Sequence, residues 1–134
     1  MIKKIWILAY ILADAGFDVW MPNARGNYYS RKHISLNPDH TKFWKFSWHE
    51  IGYYDHPATI DYILNKTGHE KLHFVGYSQG ATTFFVMASE RPEYNEKIIS
   101  MHALGPVIYM SKAKSPLIKY LSPFSFTFDV CLFV

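Results

Sequence analysis

Leu72-His73-Phe74-Val75-Gly76-Tyr77-Ser78-Gln79-Gly80-Ala81 is the stretch on which the fold turns. An apolar run of strand character enters Gly-x-Ser-x-Gly, and Ala81, Phe84, Phe85 and Ala88 then recur at i, i+3, i+4 and i+7, one face of a helix. Strand, sharp turn and helix in this order make a nucleophile elbow. The serine at the tip is expected in strained backbone geometry, with glycines two positions either side letting neighbouring chain pass close by. That geometry lifts the Ser78 hydroxyl clear of the sheet. The bland alternative is an ordinary βα turn that matches by chance, so the surrounding sequence has to discriminate.

Working outward, the same periodicities give an α/β chain. Ile5, Leu8, Ala9 and Leu12 mark one face of a first helix, and Gly16 is placed to end it as a left-handed cap. Residues 17–21 read as a strand closed by Pro22. Residues 23–47, rich in Asn, Arg, His and aromatics without a clean period, read as a long ordered loop with short helical pieces. A helix is expected to begin around Pro57, carry Ile60, Ile63 and Leu64 inward and end at Gly68. The elbow strand follows from Lys71, in a run that suits a sheet covered on both faces. Its helix should stop near Arg91-Pro92, and residues 97–104 form the next buried strand. The expected sheet has about three parallel strands with flanking helices.

Composition excludes several function classes. Fourteen Lys and Arg against eleven Asp and Glu leave a net charge of +3. The basic residues are scattered rather than striped, so no nucleic-acid partner is expected. Full protonation of the seven histidines would raise the formal charge to 3 + 7 = +10, which matters in an acidic compartment. His49-Glu50-Ile51-Gly52-Tyr53 begins like a zinc-protease signature but has Tyr53 where the second histidine is required. The single cysteine, Cys131, permits neither an internal disulfide nor a cysteine zinc site. The Gly-rich turn lacks the Walker lysine and the dinucleotide spacing, so no cofactor or metal is expected. No run is long enough to span a bilayer, and the apolar tail of residues 124–134 is interrupted by Asp129.

The chain as a whole resembles the acid lipase family of α/β-hydrolases, which includes gastric and lysosomal lipases. The resemblance is carried by Leu8-Ala9-Tyr10-Ile11-Leu12-Ala13-Asp14-Ala15-Gly16-Phe17-Asp18-Val19-Trp20, Asn23-Ala24-Arg25-Gly26-Asn27, Ser30-Arg31-Lys32-His33 and Phe43-Trp44-Lys45-Phe46-Ser47. It continues through Tyr54-Asp55-His56-Pro57-Ala58, Lys66-Thr67-Gly68-His69-Glu70-Lys71, the Ser78 pentapeptide, Ala103-Leu104-Gly105-Pro106 and Ala113-Lys114-Ser115-Pro116. It fades after about Leu121, where residues 122–134 diverge. The resemblance implies a partial α/β-hydrolase domain over residues 1–134, with the start of a cap region and a divergent tail from about residue 106. It implies Ser78 as nucleophile, the Gln79 backbone N–H as an oxyanion-hole donor, a triacylglycerol- or sterol-ester substrate, and a secreted or lysosomal setting. Arg25 and Asn27 belong to a motif taken to fix the loop after its strand.

The resemblance also implies that the matched stretch is interior to a longer domain. The strand bearing the other half of the oxyanion hole would precede it, and the catalytic acid and histidine would follow. The preceding strand would lie between residues 17–21 and the elbow strand. Without it, the two strands either close up or leave a slot with exposed apolar surface, and marginal stability is expected in both cases.

Within the chain itself the triad order Ser, then Asp, then His is not met. The only histidine after Ser78 is His102, and the only aspartate after it, Asp129, comes later still. His102 lies within an apolar strand and reads as a structurally satisfied histidine. A serine without an imidazole to take its proton is a poor nucleophile; loss of the base costs on the order of a million-fold in turnover. The chain alone is therefore expected to be inactive. Two classes of function stand: a lipase-type enzyme sequence, or a non-catalytic remnant that keeps an apolar crevice for lipid or protein.

Three further features are secondary. Met1-Ile2-Lys3-Lys4, the apolar run after it and Ala13-Asp14-Ala15 have the pattern of a secretory signal. The resemblance places the same residues in a helix inside the domain, and this reading is preferred. Asn65-Lys66-Thr67 is a glycosylation sequon that fits a secreted setting. Phe43, Trp44, Phe46, Trp48, Tyr53 and Tyr54 concentrate in one region and are read as packing the loop onto the sheet, with lipid-interface contact as the alternative.

Overall fold

The computed structural model describes residues 2–108, with side chains from Ile7 onward. The sequence readings for the later cap region, Asp129 and Cys131 lie outside the described residues. Helix α1 (Ile2–Asp14) turns Leu8, Ala9 and Leu12 inward, as their spacing requires. It ends at Gly16, whose φ of 92° lets the Phe17 N–H return to the Leu12 carbonyl and the Gly16 N–H to the Ala13 carbonyl. None of the described helices is long and apolar enough to cross a membrane.

Residues 17–21 are not a strand. The described sheet has two strands rather than three, β1 (Leu72–Tyr77) and β2 (Ile98–Leu104), paired in parallel. A segment becomes a strand only when a neighbouring strand takes up its N–H and C=O groups, and among the described residues none does so here; the Phe17 N–H closes α1 instead. Among the described residues, 17–21 do not close up on the elbow strand. Trp20, Met21, Pro22 and Asn23 face Ala58, Thr59, Tyr62 and Ile63 across a groove of about 350 Å³, with Trp20 edge-on to Tyr62 at 5.9 Å. Phe17 and Met21 stay about half exposed.

The helix expected from Pro57 starts earlier, at Trp48. Ser47 caps α2 (Trp48–Glu50): its Oγ accepts the His49 N–H at 3.1 Å, and the Glu50 carboxylate accepts the Ser47 N–H at 2.7 Å. This capping box is written in the sequence as Ser47-x-x-Glu50. The chain then winds through a π-helical turn (Ile51–Asp55), where the His56 N–H reaches the Ile51 carbonyl five residues back, into α3 (His56–Thr67). Pro57 has no N–H for the Tyr53 carbonyl one turn before it. Arg91 Nη1 donates to that carbonyl instead, at 3.2 Å. Gly68, at φ 74°, closes α3 where expected.

The elbow helix α4 (Gln79–Glu90) ends at Arg91 and is followed by a 3₁₀ turn (Pro92–Lys97) that leads into β2. Ile60 of α3, Phe84 and Met87 of α4 and Tyr94 of the 3₁₀ turn form the buried core over Leu72, Phe74, Ile98 and Met101. Each large side chain so buried contributes about 2 kcal/mol. The Tyr94 hydroxyl and Lys97 Nζ each donate to Asp61 at 2.6 Å and tie the 3₁₀ turn to α3. Helix α4 touches the π-helical turn backbone to backbone: a Cβ on Gly52 would lie 2.5 Å from the Thr83 carbonyl oxygen.

Only one face of the sheet is covered by the described residues. His73 and Val75 of β1 and Ile99, His102 and Leu104 of β2 are exposed, which corrects the expectation of strands covered on both sides. The aromatic region also packs differently. Phe43 is buried among Trp44, Phe46 and His33, and the Trp44 and Phe46 rings lie over Gly26, so these rings pack the loop on itself.

Candidate active site

Ser78 stands between the last residue of β1 and the first of α4, at φ 50° and ψ −113°. It is the only non-glycine residue with positive φ among those described. A conformation of this kind costs about 1–3 kcal/mol and persists only where the surroundings enforce it. Two sets of bonds do so. The Ser78 N–H donates to the Leu104 carbonyl at 2.9 Å, extending the ladder to β2, and the Ser78 carbonyl accepts the N–H groups of Ala81 and Thr82 at 3.1 and 3.2 Å.

The two glycines of the motif are not equivalent. A Cβ on Gly76 would lie 2.8 Å from the Ala81 nitrogen, so strand and helix meet there without room for a side chain. At Gly80 a Cβ would meet nothing within 4 Å among the described residues, so close approach accounts for the first glycine alone.

Gln79 and Gly80 open α4, too early in the helix for an intrahelical acceptor, and among the described residues their N–H groups have no partner. Ser78 is half-buried and lines a groove of about 480 Å³ with Trp48, Gln79, Thr82, Phe85 and Val107. Thr82 Oγ1 donates to the Val107 carbonyl at 2.6 Å, which holds the segment after β2 against the groove. The arrangement sets a hydroxyl and free backbone donors beside an apolar channel.

No imidazole serves that hydroxyl among the described residues. His73 Nδ1 and His102 Nε2 both pair with Ser100 Oγ, at 2.8 and 2.9 Å. His102 is thus hydrogen-bonded as expected but exposed instead of buried, because its strand face is uncovered. His33 Nδ1 accepts the Ser35 and Leu36 N–H groups within its own loop.

The sequence marks His56 only as a residue at a helix start. Its Nε2 lies 2.7 Å from Thr83 Oγ1, and its ring stands edge-on to Phe74 at 5.1 Å. Burial pushes its pKa down to about 4, against a smaller upward pull from the Asp55 carboxylate. No local signal marks this, since the pairing spans twenty-seven residues.

The alpha/beta hydrolase fold family matches residues 2–127, and the chain belongs to that family. It is 58% identical to Lipase 1 of Drosophila melanogaster over 116 residues, which cover 86% of this chain and 26% of that protein. It is 51% identical to the gastric triacylglycerol lipase of Mus musculus over 112 residues, 84% of this chain and 28% of the relative. The same figures hold for the human lysosomal acid lipase/cholesteryl ester hydrolase. The resemblance to acid lipases drawn from the motifs is therefore met over most of the chain, which spans about a quarter of the length of these relatives.

Proposed function

We propose that this chain carries the nucleophile region of a lipase that hydrolyses carboxylic esters of lipids. The observation that carries the reading is the positive φ of Ser78 at the β1–α4 junction, beside an apolar groove and two N–H groups unpaired among the described residues. Ser78 Oγ attacks the ester carbonyl carbon, and the Gln79 N–H receives the oxyanion as the tetrahedral intermediate forms. The alcohol leaves, the acyl group stays on Ser78, and water then releases it as the acid. Relatives named for triacylglycerol and cholesteryl esters support those substrate classes, and their gastric and lysosomal names support a secreted or lysosomal setting. Residues from about 106 onward begin the cap of this domain.

The proton on Ser78 needs a base, and the one histidine after the serine, His102, is paired with Ser100 Oγ at 2.9 Å. The chain by itself accordingly does not turn over esters. The apolar groove beside Ser78 also suits a second reading, a non-catalytic remnant that binds lipid or protein.

A chimera separates the two: this chain replaces the matching 116 residues of the Drosophila Lipase 1. The expected result is hydrolysis of a short-chain nitrophenyl ester that Ser78→Ala abolishes, with no Ser78-dependent rate in the 134-residue chain. A chimera that keeps its full rate after Ser78→Ala would overturn the assignment of the nucleophile. A folded but inert chimera would favour the remnant.

A further inference from the structure

Thr83 is the one polar side chain among the described residues that is fully buried, and its hydroxyl meets three groups. It lies 3.0 Å from the Gln79 carbonyl and 3.3 Å from the Gly80 carbonyl, both in the first turn of α4, and 2.7 Å from His56 Nε2. A hydroxyl has one proton to give. With that proton on the Gln79 carbonyl, the His56 bond must run the other way, Nε2–H donating to Thr83 Oγ1. In the neutral, half-buried ring this places the proton on Nε2.

We propose that His56 is a positioning residue for the oxyanion-binding turn: through the Thr83 hydroxyl it holds the peptide groups at the start of α4 against the π-helical turn and α3. The inference rests on the reading of Gln79 as the oxyanion donor. Three observations make the linkage tight. The Gly52 backbone lies against the Thr83 carbonyl with no space for a Cβ, so the two elements cannot slide apart or together without breaking contact. The Phe74 ring of β1 closes the other side of the imidazole. Thr83 itself has no access to water that could replace the ring nitrogen.

The charges around the ring are few. From its own helical segment Asp55 faces it, and Asp55 is held by Arg25 of the loop. Phe74 from β1 and Thr83 from α4 bring no charge. Acid therefore acts on this linkage chiefly by charging the imidazole inside an apolar setting, which the Asp55 carboxylate offsets only in part.

The test is a pH titration by NMR of the 134-residue chain, reading the His56 ring and the Gln79 and Gly80 amides together. The amides are expected to shift with the His56 midpoint, near 4, and the neutral ring to carry its proton on Nε2. His56→Leu removes that shift. Thr83→Ser keeps it, and Thr83→Val, equal in shape but without the hydroxyl, abolishes it. Amides that stay flat while His56 titrates, or that follow it equally in the Thr83→Val variant, would overturn the proposal. If Thr83→Val does not fold, the unsubstituted chain and Thr83→Ser still decide between these outcomes. None of these readouts requires ester hydrolysis, so an inactive chimera and a failed linkage are told apart.

Discussion

Arg25 closes on Asp55 with three hydrogen bonds across thirty residues. Its backbone N–H donates to Oδ2 at 3.0 Å, and its Nε and Nη2 donate to Oδ1 at 2.9 and 2.6 Å. The guanidinium also sits over the Phe46 and Tyr54 rings, so one side chain joins the long loop to the π-helical turn.

With Arg25 a third exposed and Asp55 a fifth, solvent screens part of this pair. Arg25→Ala is expected to lower stability by about 1–2 kcal/mol, counting the lost ring contacts. Arg25→Lys should recover only part of it, because a point charge can neither make the two-pronged contact nor stack. Urea unfolding of the three proteins measures this; equal midpoints for Arg25→Lys and the unsubstituted chain would count against the two-pronged contact.

His56 makes stability depend on pH between its unfolded and folded pKa values. Its folded value, about 4, lies below the ordinary 6.5, so the unfolded chain binds the proton first. The contribution is fully present above pH 6.5, declines as pH falls, and levels off below about 4 after a loss of about 3 kcal/mol. His56→Leu should flatten the profile in that window. Asp61 acts lower: burial works against its charge, but the Lys97 and Tyr94 hydrogen bonds outweigh burial and depress its pKa, so its contribution is lost below the usual 3.8. Unfolding midpoints between about pH 2 and 8 test both windows.

Gly52→Ala puts a methyl group 2.5 Å from the Thr83 carbonyl oxygen and 2.6 Å from Val86 Cβ. Both are parts of a helix that cannot give way locally, and the expected cost is about 2–3 kcal/mol. Gly80→Ala, with nothing among the described residues in its way, should cost far less. A thermal melt comparing the two variants checks the asymmetry.

Ser78→Gly should stabilise the chain by about 1 kcal/mol, because glycine takes φ 50° without strain while gaining some freedom when unfolded. Ser78→Ala retains the Cβ and should leave stability nearly unchanged. Equal stability of the Ser78→Gly and Ser78→Ala variants would mean that the elbow holds no strain.

Much of the local structure is legible in the sequence. The 3.6-residue spacing of Leu8, Ala9 and Leu12, the left-handed Gly16 and Gly68, the Gly76-x-Ser78 turn and the stop at Arg91-Pro92 all depend on residues within a few positions of one another. The Ser47–Glu50 capping box is equally local, but Pro57 is the louder start signal, and it stands in the wrong place for a helix that opens through a π-helical turn. The rest has no local trace. Whether residues 17–21 are a strand depends on a partner for their backbone groups, whether His102 is buried depends on what covers its face of the sheet, and whether His56 is charged depends on how far other segments bury it.

The sequence by itself determined the βα elbow, the faces of its helices and the family, because backbone propensity and side-chain periodicity act over one or two turns of chain. Only the packing of distant segments sets Ser78 against an apolar groove with no imidazole beside it among the described residues, and brings the desolvated His56 within 2.7 Å of Thr83. Both outcomes come from desolvation and hydrogen bonding between segments far apart in the chain, and such energies have no counterpart in any one stretch of residues.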